Sequence, residues 1–527
     1  MKKLLLYLVM SVLLPGNLFA GISLQPGKWL IVTKAVDGPS NYDLDFLAAV
    51  AASSALTDGE PAVLAITNPI YLFSDAWHAD YVSRYNPESA LIVGQNIPGI
   101  PGVSQLIVLN SVSAGAEQAK EIATTVWAGS DQVVICSLDG NYYENALTAA
   151  SLASRLKVPL LYSSPSTPGD LDTVLAQLGA QSALVVGSPL TLPVPSSTLP
   201  GAVAVVTWLR NNGHSVDYLA AVNPADRDVN PDGSKLSLVS TILAARRGGV
   251  VVPVQNAATY LTVRDELRQC YAAIGADYYP EFLAIVATTP FIPFGEVDNP
   301  SGFPAPVLMT DALYAEMDAD PFLEIAVGRV IANNFSEGSL IASRISTYDS
   351  LKDRYWENRV VEMGRWGMSE AVPVLNNFGY VEDDLMGAYH NSGPPIEDGL
   401  ILHYDHSAWW ELGFAFNMNM NTLLAPAFIL SRGCSTAALD EGPSQITKRL
   451  LRQGAVGFMG GTRSVIGMSG HQTTEVVNSI VEGESLGHAF NRAYEALTLN
   501  VLDLDDHGSD VSRHNWLLIG DPGWNSH

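Results

Sequence analysis

A cysteine and a histidine stand just past the ends of two short apolar runs, and that pairing is the first chemistry the chain offers. Cys434 closes "AFILSRGC" (427–434), and His406 follows "GLILHYD" (399–405). Each run reads as a buried strand that stops at a polar mouth. In an open parallel sheet, functional groups gather beyond the carboxyl ends of the strands. Neighbouring parallel strands ending this way put thiol and imidazole on one rim, and the interval between them leaves room for a helical crossover. An imidazole beside a thiol raises its thiolate fraction and later protonates a leaving amine.

The other polar groups around this pair carry less. His403 and His406 flank Asp405 in "HYDH", a spacing found in zinc sites, but no third ligand stands at a telling distance and no metal is expected. Trp409 and Trp410 read either as cleft lining, with Trp409 touching substrate, or as core aromatics. The acidic run "DLDDHGSD" (503–510) has the charge for a structural calcium ion without the ordered spacing of a calcium loop, and no other cofactor is expected. No serine nucleophile elbow, P-loop or dinucleotide fingerprint occurs. Cys136 in "DQVVICSL" lies within a strand and Cys270 in "VRDELRQCYAAIG" on the apolar side of a helix, where each reads as a small core hydrophobe. Three cysteines make no disulfide framework.

The elements that must hold these groups repeat along the chain. "FLAAVAASSALTDGEPAVLAI" leads to "DYVSRYNPESALIVGQ", and "NALTAASLASRLKVPLLYS" leads to "LDTVLAQLGAQSALVVGS". A looser third echo is "LSLVSTILAARRGGVVVPVQ" followed by "VRDELRQCYAAIGADYYPEFLAIVAT". Each unit is a small-residue helix, an apolar strand, a second helix and another strand. Continuous β-branched runs between helices indicate parallel strands covered on both faces, so the fold class is α/β with repeated flavodoxin-like units. "SPLTLPVPSSTLPG" (188–201) reads as a linker or domain edge. It separates a repeat domain at 24–200 from a second domain at 214–527, which takes in the third echo.

The chain has 527 residues, with Lys+Arg 28 against Asp+Glu 54 and a net charge of −26. Such a surface repels phosphate backbones, so nucleic acid is not an expected partner. "MKKLLLYLVMSVLLPGNLFA" (1–20) reads as a secretory signal peptide, and no later stretch reads as a transmembrane segment. A secreted, cell-surface or periplasmic protein is expected once the signal peptide is cleaved.

From about residue 214 onward the chain resembles the gingipain-type cysteine peptidases, peptidase family C25 of the caspase-like clan. The resemblance lies in ordered blocks: "TDALYAEMDADPFLEIAVGRV", "ISTYDS", "VPVLNNFGYVEDDLMG", "YDHSAWW", "AFILSRGC", "RQGAVGFMGGTRSV" and "LLIGDPGW". It implies a caspase-like domain that cleaves protein or peptide substrates. Cys434 would be the nucleophile and His406 the general base and acid, with the oxyanion held by the N–H groups of Cys434 and Ser407. Glu362, in "NRVVEMGRWG", falls where some members place a carboxylate that orients the histidine, and it reads equally as an exposed acid. Asp405 and Ser407 replace the glycines that flank the family's histidine. If the second position needs positive φ, Ser407 is strained there. The loop "MGRWGMSE" has no counterpart of the aspartate with which arginine-cleaving members read a basic P1 residue. It carries Arg365, which permits an acidic P1. The earlier units, "NYYENALTAASLASRLKVPLLYSS" above all, resemble the type 2 cell-wall-binding repeats of bacterial and archaeal surface proteins. That resemblance implies a cell-wall polymer as partner and leaves a second reading, a wall-binding protein on an inactive peptidase scaffold.

Overall fold

Helices alternating with β-branched runs leave each run buried between helical layers, and the chain folds on that plan. The structure is a computed structural model that describes residues 24–525 except 68–74, 95–99, 229–233, 276–278, 300–304, 442–444, 464–469, 505–512 and the single positions 101, 111, 168, 256 and 319. The expected signal peptide lies outside the described residues.

Strands β1 (Trp29–Lys34), β2 (Val63–Ile66), β3 (Ser89–Val93) and β4 (Gln105–Leu109) form a parallel sheet in the order β2-β1-β3-β4. Strands β5 (Gln132–Ser137), β6 (Leu160–Ser163), β7 (Ser182–Val186) and β8 (Ser196–Leu199) repeat it as β6-β5-β7-β8. The repeat in the sequence is thus a repeat of structure. Strand β8 lies within the proline-rich stretch 188–201, which is therefore the edge of the second sheet and not a free linker. An edge strand tolerates flanking prolines because one side of its backbone needs no partner.

The rest of the chain builds one ten-stranded sheet. Its strands are β9 (Tyr218–Val222), β10 (Val250–Pro253), β11 (Phe282–Val286), β12 (Ala326–Val330), β13 (Arg359–Gly364), β14 (Val381–Met386), β15 (Leu400–Tyr404), β16 (Phe428–Ser431), β17 (Gly457–Gly461) and β18 (Trp516–Gly520). They lie in the order β10-β9-β11-β12-β18-β17-β16-β15-β13-β14. All neighbours are parallel except β17 and β18, so two parallel halves run in opposite directions. The reversal follows from the connection. Two helices packed on each other, Gly470–Val481 and Leu486–Leu504, join β17 to β18, where a single crossover helix would have returned the chain parallel.

Three helices at corresponding places in the three echoes meet one another: α1 (Tyr42–Leu56), α2 (Tyr142–Leu156) and α3 (Leu236–Arg247). Buried Ala and Ser line them, Ala48, Ala49, Ala52 and Ser53 in α1 and Ala146, Ala149, Ala150 and Ser151 in α2, and small side chains let helix axes approach. Helices also seal sheet edges that would otherwise expose unpaired backbone. Val251 of β10 donates its N–H to Ser151 Oγ (3.2 Å) and accepts from Thr148 Oγ1 (3.1 Å). At the edge strand β2, Ser343 and Ser339 of helix α4 (Phe335–Ser346) accept from Val63 N–H (3.0 Å) and Ala65 N–H (2.9 Å).

Within this packing Asp45 of α1 is buried. It accepts the Gly115 N–H at 2.6 Å, and its second oxygen has no partner among the described residues. Burial pushes its carboxyl up to about 7. A group that keeps its proton when folded but loses it near pH 4 when unfolded weakens the fold as pH rises between those values. Asp45→Asn removes the titration. Its unfolding free energy should gain on that of the unmodified protein by roughly 4 kcal/mol between about pH 4 and about pH 7, then level off. Urea denaturation at a series of pH values checks this, and a difference that does not change with pH would refute it.

Candidate active site

The two strands that end in the histidine and the cysteine are neighbours. β15 pairs with β16 in parallel, and His403 is the register partner of Ser431. The ladder continues one step further, since Arg432 N–H donates to the His403 carbonyl at 2.8 Å. His406 and Cys434 each lie the same number of residues past that register pair, on strands that parallel pairing holds ~4.8 Å apart. His406 is exposed and Cys434 half-buried at the same rim. Ser435, directly after the cysteine, holds φ +52°, the kind of strained turn that collects at functional sites. Its N–H is anchored on the Arg463 carbonyl at 2.9 Å.

The segment joining β15 to β16 is not the helical crossover that the interval suggested. It holds a short hairpin, Glu411–Leu412 against Phe416–Asn417, and turns. Gly413 explains the choice. A Cβ there would lie 2.0 Å from the His406 carbonyl oxygen, so this loop is built to fold back on the histidine.

Beneath the pair lies a buried polar chain. His403 is fully buried, and burial pushes its imidazole down to about 4, so it is neutral. Its Nε2 donates to the Gly413 carbonyl (3.0 Å), which leaves Nδ1 to accept from the Ser431 hydroxyl (2.9 Å). Ser431 Oγ accepts the Gly433 N–H at 3.2 Å, and Ser407 Oγ accepts the Gly413 N–H at 3.1 Å. One neutral histidine therefore ties the cysteine loop to the histidine loop. With both ring nitrogens engaged, it does not converge with His406 on a metal.

Ser407 lies outside the left-handed region, so it stands in the glycine's place without backbone strain. Its N–H has no acceptor among the described residues. Its side chain presses on Gly433, where a Cβ would sit 2.4 Å from Ser407 Oγ and 2.6 Å from its Cβ. Gly433→Ala should therefore cost about 1–3 kcal/mol. Ser407→Gly in that background should return most of it, and a double-mutant cycle in urea measures the coupling. Additive effects would mean that the two residues do not touch. Asp405 is buried and accepts its neighbour's His406 N–H at 2.6 Å, which makes it a turn-former at the histidine and not a solvated acid.

The loop after β13 closes over this rim. Glu362 accepts the Met368 N–H at 2.6 Å, and its carboxylate lies against Gly367. The His406 ring makes no hydrogen bond to a described residue, Glu362 included. Trp366 does meet the His406 ring, edge to face at 5.1 Å. Sequence reasoning passes over Trp366 because an exposed aromatic in a short loop has no periodicity to mark it. Arg365 stands beside it, over the rings of Phe414 (4.7 Å) and Trp366 (5.5 Å). Trp409 packs on Trp410 at 5.1 Å, and its carbonyl accepts the Ile446 N–H at the start of helix Ile446–Gln453.

Several of the family-like blocks turn out to close the fold. In block 310–330, buried Arg329 makes two bonds to Asp311 (2.6 and 2.7 Å). In the last block, Asp521 accepts from Tyr218 and Arg247. Cys136 and Cys270 are core residues as expected, and burial pushes the Cys270 thiol up to about 12. Of the acidic run considered for calcium, residues 505–510 lie outside the described residues. Asp318, Asp320 and Glu324 each bring a carboxylate oxygen within 4.8 Å of the others, an exposed cluster whose oxygens already accept neighbouring N–H groups. No described helix is long and apolar enough to cross a membrane.

Comparison with known proteins gives a match to the model of peptidase family C25 over residues 255–393 and 401–525, half of the chain. No curated protein matches. Among solved structures, the chain is similar to gingipain R, described as an Arg-specific cysteine proteinase, at 14% identity and TM-score 0.45, over 59% of this chain and 79% of that one. A structure described only as a protease aligns at 14% identity and TM-score 0.46, over 60% and 81%. Cwp6 from Clostridium difficile aligns at 10% identity and TM-score 0.35, over 73% and 59%.

Proposed function

The chain belongs to peptidase family C25, and on that premise we propose that it is an exported cysteine endopeptidase working through Cys434 and His406. The observation that carries the proposal is the register of β15 and β16, which brings both residues to one rim at equal distance past a shared pair. His406 takes the thiol proton of Cys434, and the thiolate attacks the carbonyl carbon of the scissile peptide bond. The developing oxyanion is met by the N–H groups of Cys434 and Ser407. His406 then protonates the leaving amine, and the C–N bond breaks to leave a thioester on Cys434. Water, deprotonated by His406, hydrolyses the thioester and restores the thiol. Glu362 acts as a positioning residue through the loop that sets Trp366 on the imidazole, and Trp409 lines the cleft beyond it.

Cleavage of a diverse peptide mixture, read by mass spectrometry for the mature protein beside Cys434→Ala, tests this directly. Products that appear only with the cysteine support the dyad. Their absence, before and after a trial activation cleavage, would leave the non-catalytic reading.

A further inference from the structure

We infer that Arg365 forms a subsite for a carboxylate, so that the substrates are peptides with Asp or Glu next to the scissile bond. The inference rests on the peptidase reading above. Three arginines ring the strand mouths. Arg432 is paired with Glu370 (2.5 Å) and Arg463 with Asp440 (2.5 Å). Arg365 is exposed and has no carboxylate partner among the described residues. In a chain with 54 acidic against 28 basic side chains, Arg365 is the one of these three whose guanidinium has no carboxylate among the described residues.

The surroundings hold that cation in place. Its guanidinium carbon lies over the rings of Phe414 and Trp366, and its N–H groups make no hydrogen bond to a described residue, so they are available to the two oxygens of a carboxylate. Both rings belong to the catalytic neighbourhood. Trp366 touches His406, and Phe414 follows Gly413, whose backbone lies against the His406 carbonyl. Phe414 holds φ +50°, a conformation that bulky residues rarely adopt, and Tyr389 stacks on its ring at 5.8 Å. The Tyr389 hydroxyl in turn donates to Glu411 at 3.2 Å, so the nearby acid on this wall is already engaged. A strained backbone, two stacked rings and a cation one ring from the imidazole make a built recognition element.

The test is the peptide digest with mature protein, Arg365→Gln and Arg365→Glu, each beside Cys434→Ala. Fragment ends should show Asp or Glu favoured over Asn or Gln at one position flanking the cut by about tenfold or more. That ratio should fall towards one in Arg365→Gln, reverse towards Lys and Arg in Arg365→Glu, and shrink as NaCl is raised, because an exposed ion pair is screened. Cysteine-dependent cleavage without this preference, or a preference that survives Arg365→Gln, overturns the inference and leaves the peptidase reading standing. No cysteine-dependent cleavage at all overturns both.

Discussion

Cys434→Ala should lower peptide turnover by about 10⁴-fold or more, and His406→Ala should do nearly the same, with the double variant no worse than either. The lack of additivity follows from the roles. Without the imidazole the thiol is a weak nucleophile, and without the thiol the imidazole has nothing to activate, so each loss removes the same step. The oxyanion donors are backbone groups and survive both substitutions, which leaves a residual rate above that of water. Full activity in Cys434→Ala would end the proposal outright.

A second readout needs no substrate. Among three cysteines, Cys136 and Cys270 are buried and burial pushes both thiols up, whereas Cys434 is half-buried at the rim. Iodoacetamide at neutral pH should add one carbamidomethyl group to the folded protein, none to Cys434→Ala, and three to the denatured chain. Loss of cleavage should track that single adduct. A folded protein that takes up no label would show the thiol closed off, and the non-catalytic reading would then gain.

Much of this site is legible in the amino-acid sequence, because strand-end residues announce themselves. The apolar runs before His406 and Cys434 read only as buried strands, and the residue past each end falls on the rim. The repeats are legible for the same reason, since β-branched runs and small-residue helices are local signals. What the sequence hides depends on partners far away along the chain. The reversal between β17 and β18 hangs on two helices in place of one. The 188–201 stretch reads as a linker because prolines mark both linkers and edge strands, and only pairing with β7 tells them apart. Trp366 and the stacking of Arg365 on Phe414 join two loops from different parts of the chain. The buried Arg329–Asp311 pair lies in a block that reads as a family signature, and its role is in the core.

The largest stability effect is expected far from the cleft, at Asp43. This carboxylate is buried in the first turn of α1 and accepts from Lys235 Nζ (2.7 Å) and Arg227 Nε (2.8 Å). Arg227 also donates to the Tyr142 hydroxyl (3.1 Å) and lies over the Tyr143 ring at 4.4 Å. One acid in the first turn of α1 thus holds two cations that precede α3, and through Arg227 it reaches the first turn of α2. Asp43→Ala leaves two cations in a dry interior and should cost about 3–5 kcal/mol in urea denaturation at pH 7. Adding Lys235→Met should recover part of that loss, since an uncompensated buried charge is worse than none. The shape of the transition matters as much as its midpoint. Because the partners come from residues 43, 142, 227 and 235, intrinsic fluorescence and peptide cleavage should fall together in a single transition. If cleavage outlasts the loss of structure around Asp43, residues 24–200 are a module that the peptidase half does not need.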